Sequence, residues 1–94
     1  MHSKWTRKAV LDLYHIREYI HAHNPQASAK VGEKLEAAAN SLLQFPYSGR
    51  TGKVKDTREL VIPGWPYILV YRVTMDCIEI IRVLHTKQKW PPVL

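Results

Sequence analysis

The sequence predicts an α+β domain: a helical hairpin packed on a small antiparallel sheet, in the order β-α-α-β-β-β. Three observations lead there. Apolar residues recur at helical spacing through the first half of the chain, and after Asp56 they give way to short runs rich in β-branched and aromatic residues. Pro and Gly stand where one pattern replaces the other. The length, 94 residues, suits one core, so residues 1–94 are read as a single domain.

In chain order, Ser3 to Trp5 supply a short edge strand. From about Thr6 to His23, Ala9, Leu13, Ile16 and Ile20 repeat at the spacing of one amphipathic helix. Asn24 and Pro25 end it and open a second, because Asn caps a helix and Pro tolerates its first turn. Val31, Leu35, Ala38, Ala39 and Leu42 form the second apolar stripe, whose alanines let the two helices approach closely, and Pro46 terminates it. Gly32 costs this helix roughly 1 kcal/mol relative to Ala, which a packed helix absorbs. Residues Pro46 to Gly52 carry turn chemistry, and Arg50 to Asp56 is a basic loop without apolar periodicity. Thr57 to Ile62, Tyr67 to Val73 and Ile78 to Leu84 are strands, joined by breaks short enough for a meander of hairpins.

Composition narrows the function. Apolar residues make up 46% of the chain, which argues against disorder. The net charge of +6 predicts an anionic partner, and the surplus is larger from Arg50 onward, where eight basic residues face four acidic ones. Cys77 is the sole cysteine, which excludes an internal disulfide and a Cys-based zinc site and fits a reducing cytoplasm. The histidines lack carboxylates at ligand spacing, so neither a metal nor any other cofactor is expected. The N-terminus is broken by charges and has no signal-peptide core. The uncharged stretch from Leu60 to Tyr71 contains Pro63, Gly64 and Pro66 and falls short of the ~20 residues of a spanning helix, so no membrane is expected.

Several features stand together in order: Trp5 before the first helix, Asn24-Pro25, Phe45-Pro46, Gly49-Arg50, the runs Thr57 to Val61, Tyr67 to Val73 and Ile81 to His85, and finally Trp90-Pro91. As a set they resemble the RelE/ParE superfamily, the small toxins of type II toxin–antitoxin modules, across nearly the whole chain. The resemblance implies a cytoplasmic growth inhibitor, the kind of protein associated with plasmid stabilization, held inactive by a cognate antitoxin. It also implies one of two targets. RelE-like members cut mRNA on the ribosome without a metal, as mRNA interferases; ParE-like members poison DNA gyrase.

Metal-independent RNA cleavage needs a base for the 2′-hydroxyl, an acid for the leaving oxygen, and cations around the phosphate. Arg58, Arg82 and His85 are the candidates, His85 because it titrates near neutral pH. Arg58, Arg72 and Arg82 are all even-numbered on successive strands and share a sheet face if no bulge intervenes. The plainer alternative is that these arginines are solvated or pair with Glu59 and Glu79, and that His85 caps its strand and bonds to the tail. The nuclease form of the resemblance is incomplete: Ile68 and Thr86 stand where RelE-type members carry arginines, and the tail tyrosine has no counterpart near Trp90.

A gyrase poison needs only a docking surface, and Arg50, Lys53, Lys55, Arg72, Lys87, Lys89 and Trp90 offer charge with an aromatic for target or nucleic-acid binding. A plain nucleic-acid-binding module is the minor alternative. The strands are apolar on both alternations, so a second sheet face is expected to be partly uncovered and to take a partner, the antitoxin in a hetero-oligomer or a second copy in a homodimer.

Overall fold

The computed structural model describes residues 1–91; the last three residues of the domain predicted from sequence lie outside it. The elements are β1 (His2–Trp5), α1 (Arg7–His21), α2 (Pro25–Gln44), β2 (Arg50–Thr51), β3 (Arg58–Val61), β4 (Tyr67–Val73) and β5 (Cys77–His85). The two helices and three main strands stand where the apolar periodicities place them.

Local chemistry sets the boundaries. The Thr6 hydroxyl accepts from the Ala9 amide at 3.1 Å and donates to the Ile81 carbonyl at 2.8 Å, so one side chain caps α1 and ties it to the sheet. Asn24 caps α2 by accepting from the Ala27 amide, with Pro25 at the first helical position. Gly64, at φ 79°, takes the left-handed conformation in the turn between β3 and β4.

The sheet order is β1-β5-β4-β3-β2. Two features differ from expectation. The sheet is mixed, because β1 runs parallel to β5, pairing His2 with Cys77 and Trp5 with Ile80. With β4 on one side of the nine-residue β5, the other edge is open to the N-terminal strand, which reaches it across the helical crossover. The loop from Arg50 also begins with a two-residue strand, β2, paired to β3.

One face of the sheet packs on the helices. Val31, Leu35, Ala39 and Leu42 of α2 meet Leu69, Tyr71, Ile78, Ile80 and Val83, while Leu13, Ile16 and Ile20 of α1 pack at the margin. The helices lie close at Gly32, where an added Cβ would come within 3.3 Å of the Arg17 side chain. No helix among the described residues is long and apolar enough to cross a membrane.

A bulge in β5 orients the functional side chains. Val70 pairs with Arg82 and Tyr71 with Ile80, so Ile81 is an extra residue. Before it, Ile78 and Ile80 point to the helices; after it, Val83 does, and Arg82 and Leu84 turn to the outer face. Directly paired residues share a face, which puts Arg72 and Arg82 outside with Ile68 and Val70. Arg58 pairs with the core residue Tyr71 and therefore lies on the helix side. The expectation that all three arginines share a face holds for two of them, because the turn between β3 and β4 offsets the parity of those strands.

Candidate functional site

The loop after α2 is anchored by Tyr71. Its buried hydroxyl donates to the Pro46 carbonyl at 2.8 Å and accepts from the Gly49 amide at 2.9 Å. Gly49 is required by this approach, since a Cβ there would meet the Tyr71 oxygen at 2.7 Å and the Glu59 carbonyl at 2.8 Å. With the loop so held, Arg50 projects to Glu59, its Nη2 3.0 Å from Oε1. Arg58 closes the same loop from the other side: Nη1 donates to the Gly49 carbonyl at 2.8 Å, and the guanidinium stands 5.0 Å from the Tyr47 ring centroid. Lys53 and Lys55 are exposed on the following turn.

On the outer face, Arg82 forms a bidentate pair with Asp12 of α1, at 2.7 Å from Nε and 3.0 Å from Nη2. The same carboxylate accepts from the Val83 amide at 3.0 Å, satisfying the β5 edge beyond the reach of β1. The hydrogen bonds that Arg82 donates to Asp12 raise its pKa above the ordinary arginine value, and partial burial opposes this. Arg82 also lies 5.7 Å from the Trp90 ring centroid. Arg72 stands 3.7 Å from Glu79, while its Nε is buried and has no hydrogen-bond partner.

His85 ends β5 beside Tyr67, edge-on to its ring. Its Nδ1 accepts from the Lys87 amide at 3.0 Å and its own amide donates to Gln88 at 2.7 Å, an arrangement that turns the tail back over the sheet. Lys87 and Lys89 are exposed there, and Trp90 returns to flank a cleft floored by Ile68, Val70 and Leu84. The sheet therefore separates Arg58 from His85, while Arg82 stands on the same strand as His85. Arg58 sits opposite Tyr71 and His85 opposite Tyr67, four residues or roughly 13 Å apart along β4 and on strands either side of it. No group of three His, Cys, Asp or Glu among the described residues could hold a metal ion.

The uncovered apolar surface is smaller on the sheet than its composition suggests. Val70 is fully buried and Leu84 is 5% exposed on the outer face, whereas Val61 is 45% exposed at its edge. More apolar surface lies on α1, through Val10, Leu11, Tyr14 and Tyr19. Sequence reasoning also missed Asp12 and Tyr47. In the sequence Asp12 is one more charge on a helix, and its role depends on the sheet edge beneath it. Tyr47 carried a signal, an aromatic within a turn of Pro, Ser and Gly.

The arrangement defines a small basic α+β protein in which Arg50, Lys53, Glu59, His85 and Trp90 meet around the cleft floored by Ile68, Val70 and Leu84, while Arg58, Arg72 and Arg82 stand outside it. Comparison with known proteins agrees with that architecture. Residues 3–90 match the family described as the ParE toxin of the type II toxin–antitoxin system parDE. The chain is 43% identical over 91 residues to the protein Y4kP of Sinorhizobium fredii, covering 97% of this chain and 94% of the relative. It is 35% identical to the toxin RelE2 of Caulobacter vibrioides, covering 86% and 90%. A solved chain from the chromosomal ParDE toxin–antitoxin system of P. aeruginosa superposes with a TM-score of 0.82 at 28% identity, covering 90% of this chain and 95% of that one. The chain belongs to the ParE toxin family, within the RelE/ParE superfamily.

Proposed function

We propose that this toxin acts in the cytoplasm as a ParE-like poison of DNA gyrase and is neutralised by a cognate antitoxin. The observation that carries the choice of target is the separation of Arg58 from His85, together with the engagement of His85 Nδ1 by the Lys87 amide. General acid–base cleavage needs its proton donor, its acceptor and its phosphate cations within hydrogen-bond reach of one scissile bond. Here Arg82 is paired with Asp12 and Arg58 with the Gly49 carbonyl, and the middle strand has aliphatic Ile68 where the RelE-type members it resembles carry an arginine. A poison requires docking alone, which the basic loop at Arg50, Lys53 and Lys55 and the tail at Lys87, Lys89 and Trp90 supply. The antitoxin is supported by the likeness to a ParDE system.

The reading is tested by titrating purified toxin into a gyrase supercoiling reaction. Dose-dependent inhibition that the antitoxin reverses is expected. Unimpaired supercoiling, with mRNA cut at defined sites in a translating extract, would transfer the protein to the nuclease branch.

A further inference from the structure

The tail after β5 is held in two ways. Its start is fixed by amide hydrogen bonds: Thr86 donates to the Pro66 carbonyl at 2.9 Å, Lys87 to His85 Nδ1 at 3.0 Å and Gln88 to the His85 carbonyl at 2.9 Å. Among the described residues, no hydrogen bond holds the chain beyond Gln88. Trp90 nevertheless returns to the outer sheet face beside Ile68, Val70 and Leu84, with its Nε1 buried and without an acceptor among the described residues. Its directional contact is the second hold, the Arg82 guanidinium 5.7 Å from the ring centroid.

That contact depends on a third side chain. An arginine on a sheet surface gives up its rotamer freedom only where a partner compensates the loss. For Arg82 the partner is Asp12, which takes Nε at 2.7 Å and Nη2 at 3.0 Å, two bonds that together fix the guanidinium plane. The side chains are 19% and 16% exposed, so water competes weakly for either charge. The Val83 amide, donating to the same carboxylate at 3.0 Å, holds Asp12 in turn. A chain of contacts thus runs from Asp12 of α1 through Arg82 of β5 to Trp90 of the tail, the segment that presents exposed Lys87 and Lys89.

We propose that Asp12 is a positioning residue for the docking tail: by fixing the Arg82 guanidinium it seats Trp90 on the outer sheet face, and with it the direction in which Lys87 and Lys89 meet the target. The proposal rests on the tail being part of the target-docking surface.

The seating is read without any target, from water exchange of the Trp90 indole N–H by NMR, its resonance assigned by its loss in Trp90→Phe. Asp12→Asn keeps one acceptor oxygen, and Arg82→Lys keeps the charge but cannot pair through two nitrogens. Each should speed this exchange about tenfold while the amides of β4 stay protected. Glu79→Gln, which breaks the neighbouring pair with Arg72, should change neither. In gyrase inhibition, Asp12→Asn and Trp90→Ala should each raise the half-inhibitory toxin concentration about fivefold, and the double variant should be no weaker than Trp90→Ala alone. Unchanged Trp90 exchange in both pair variants, or acceleration of the indole and the β4 amides in step, overturns the proposal, as do potency losses that multiply. Faster exchange with full potency in every variant supports the seating contacts and overturns the tail's part in docking. Wild-type protein that leaves gyrase uninhibited removes that target, and the exchange rates alone then decide the role of Asp12.

Discussion

Tyr71 and Tyr67 stand on the same face of β4 and put different demands on their hydroxyls. Tyr71→Phe leaves the Gly49 amide and the Pro46 carbonyl without their partner in a buried place, and should cost about 2 kcal/mol in denaturant unfolding. A loss below about 0.5 kcal/mol would show that the loop is held by other contacts. For Tyr67, burial, with a smaller contribution from nearby Tyr19, raises the pKa above 10.0. The folded protein keeps this proton at a pH where the unfolded chain releases it, so stability is flat below about pH 10 and falls as pH rises beyond it. Tyr67→Phe should flatten that alkaline decline, and parallel stability profiles for the two proteins would contradict it. Roles of this kind were only partly open to sequence reading. Tyr71 was legible as a strand residue, but its two loop bonds join positions 22 and 25 residues distant, which no local pattern reports.

Each helix was legible because apolar spacing, cap and terminator agree over many residues. The strand boundaries followed for the same reason, from β-branched runs between Pro, Gly and Asp. Register was different. A single extra residue, Ile81, reverses which side chains of β5 face the helices, and nothing in Ile80-Ile81-Arg82 marks it, since either parity leaves an isoleucine inside. The resulting outward turn of Arg82 creates the contact between β5 and α1. Asp12→Ala removes both the bidentate partner of Arg82 and the acceptor of the Val83 amide, and should destabilise the fold by about 2 kcal/mol. A double-mutant cycle with Arg82→Ala should give a coupling of about 1–2 kcal/mol, and additive effects would mean that the pair contributes packing only.

At the scale of the molecule, two helices cover one face of a five-stranded sheet, and the tail from Thr86 to Trp90 folds back toward the other. Exposed basic groups lie on the loop after β2 and on the tail, and exposed apolar residues lie on α1, at Leu43, Phe45 and Tyr47 just before that loop, and at Val61 and Met75. The family was legible because turn signals and strand patterns follow in order along the chain. Candidate residues could be named from the sequence by their type, but not their arrangement, since the bulge and the Arg82–Asp12 pair decide which cations remain available. If His85 shapes the tail and moves no proton, His85→Ala should still arrest growth when expressed without antitoxin, with no more than a modest loss of potency. Complete loss of toxicity in a folded His85→Ala protein would restore its catalytic role. The most direct test of the account is to incubate gyrase, relaxed plasmid, ATP and this toxin, then denature the enzyme and measure broken DNA. Accumulation of linear plasmid in proportion to toxin is the predicted result; intact, fully supercoiled plasmid at toxin in excess over gyrase would contradict it.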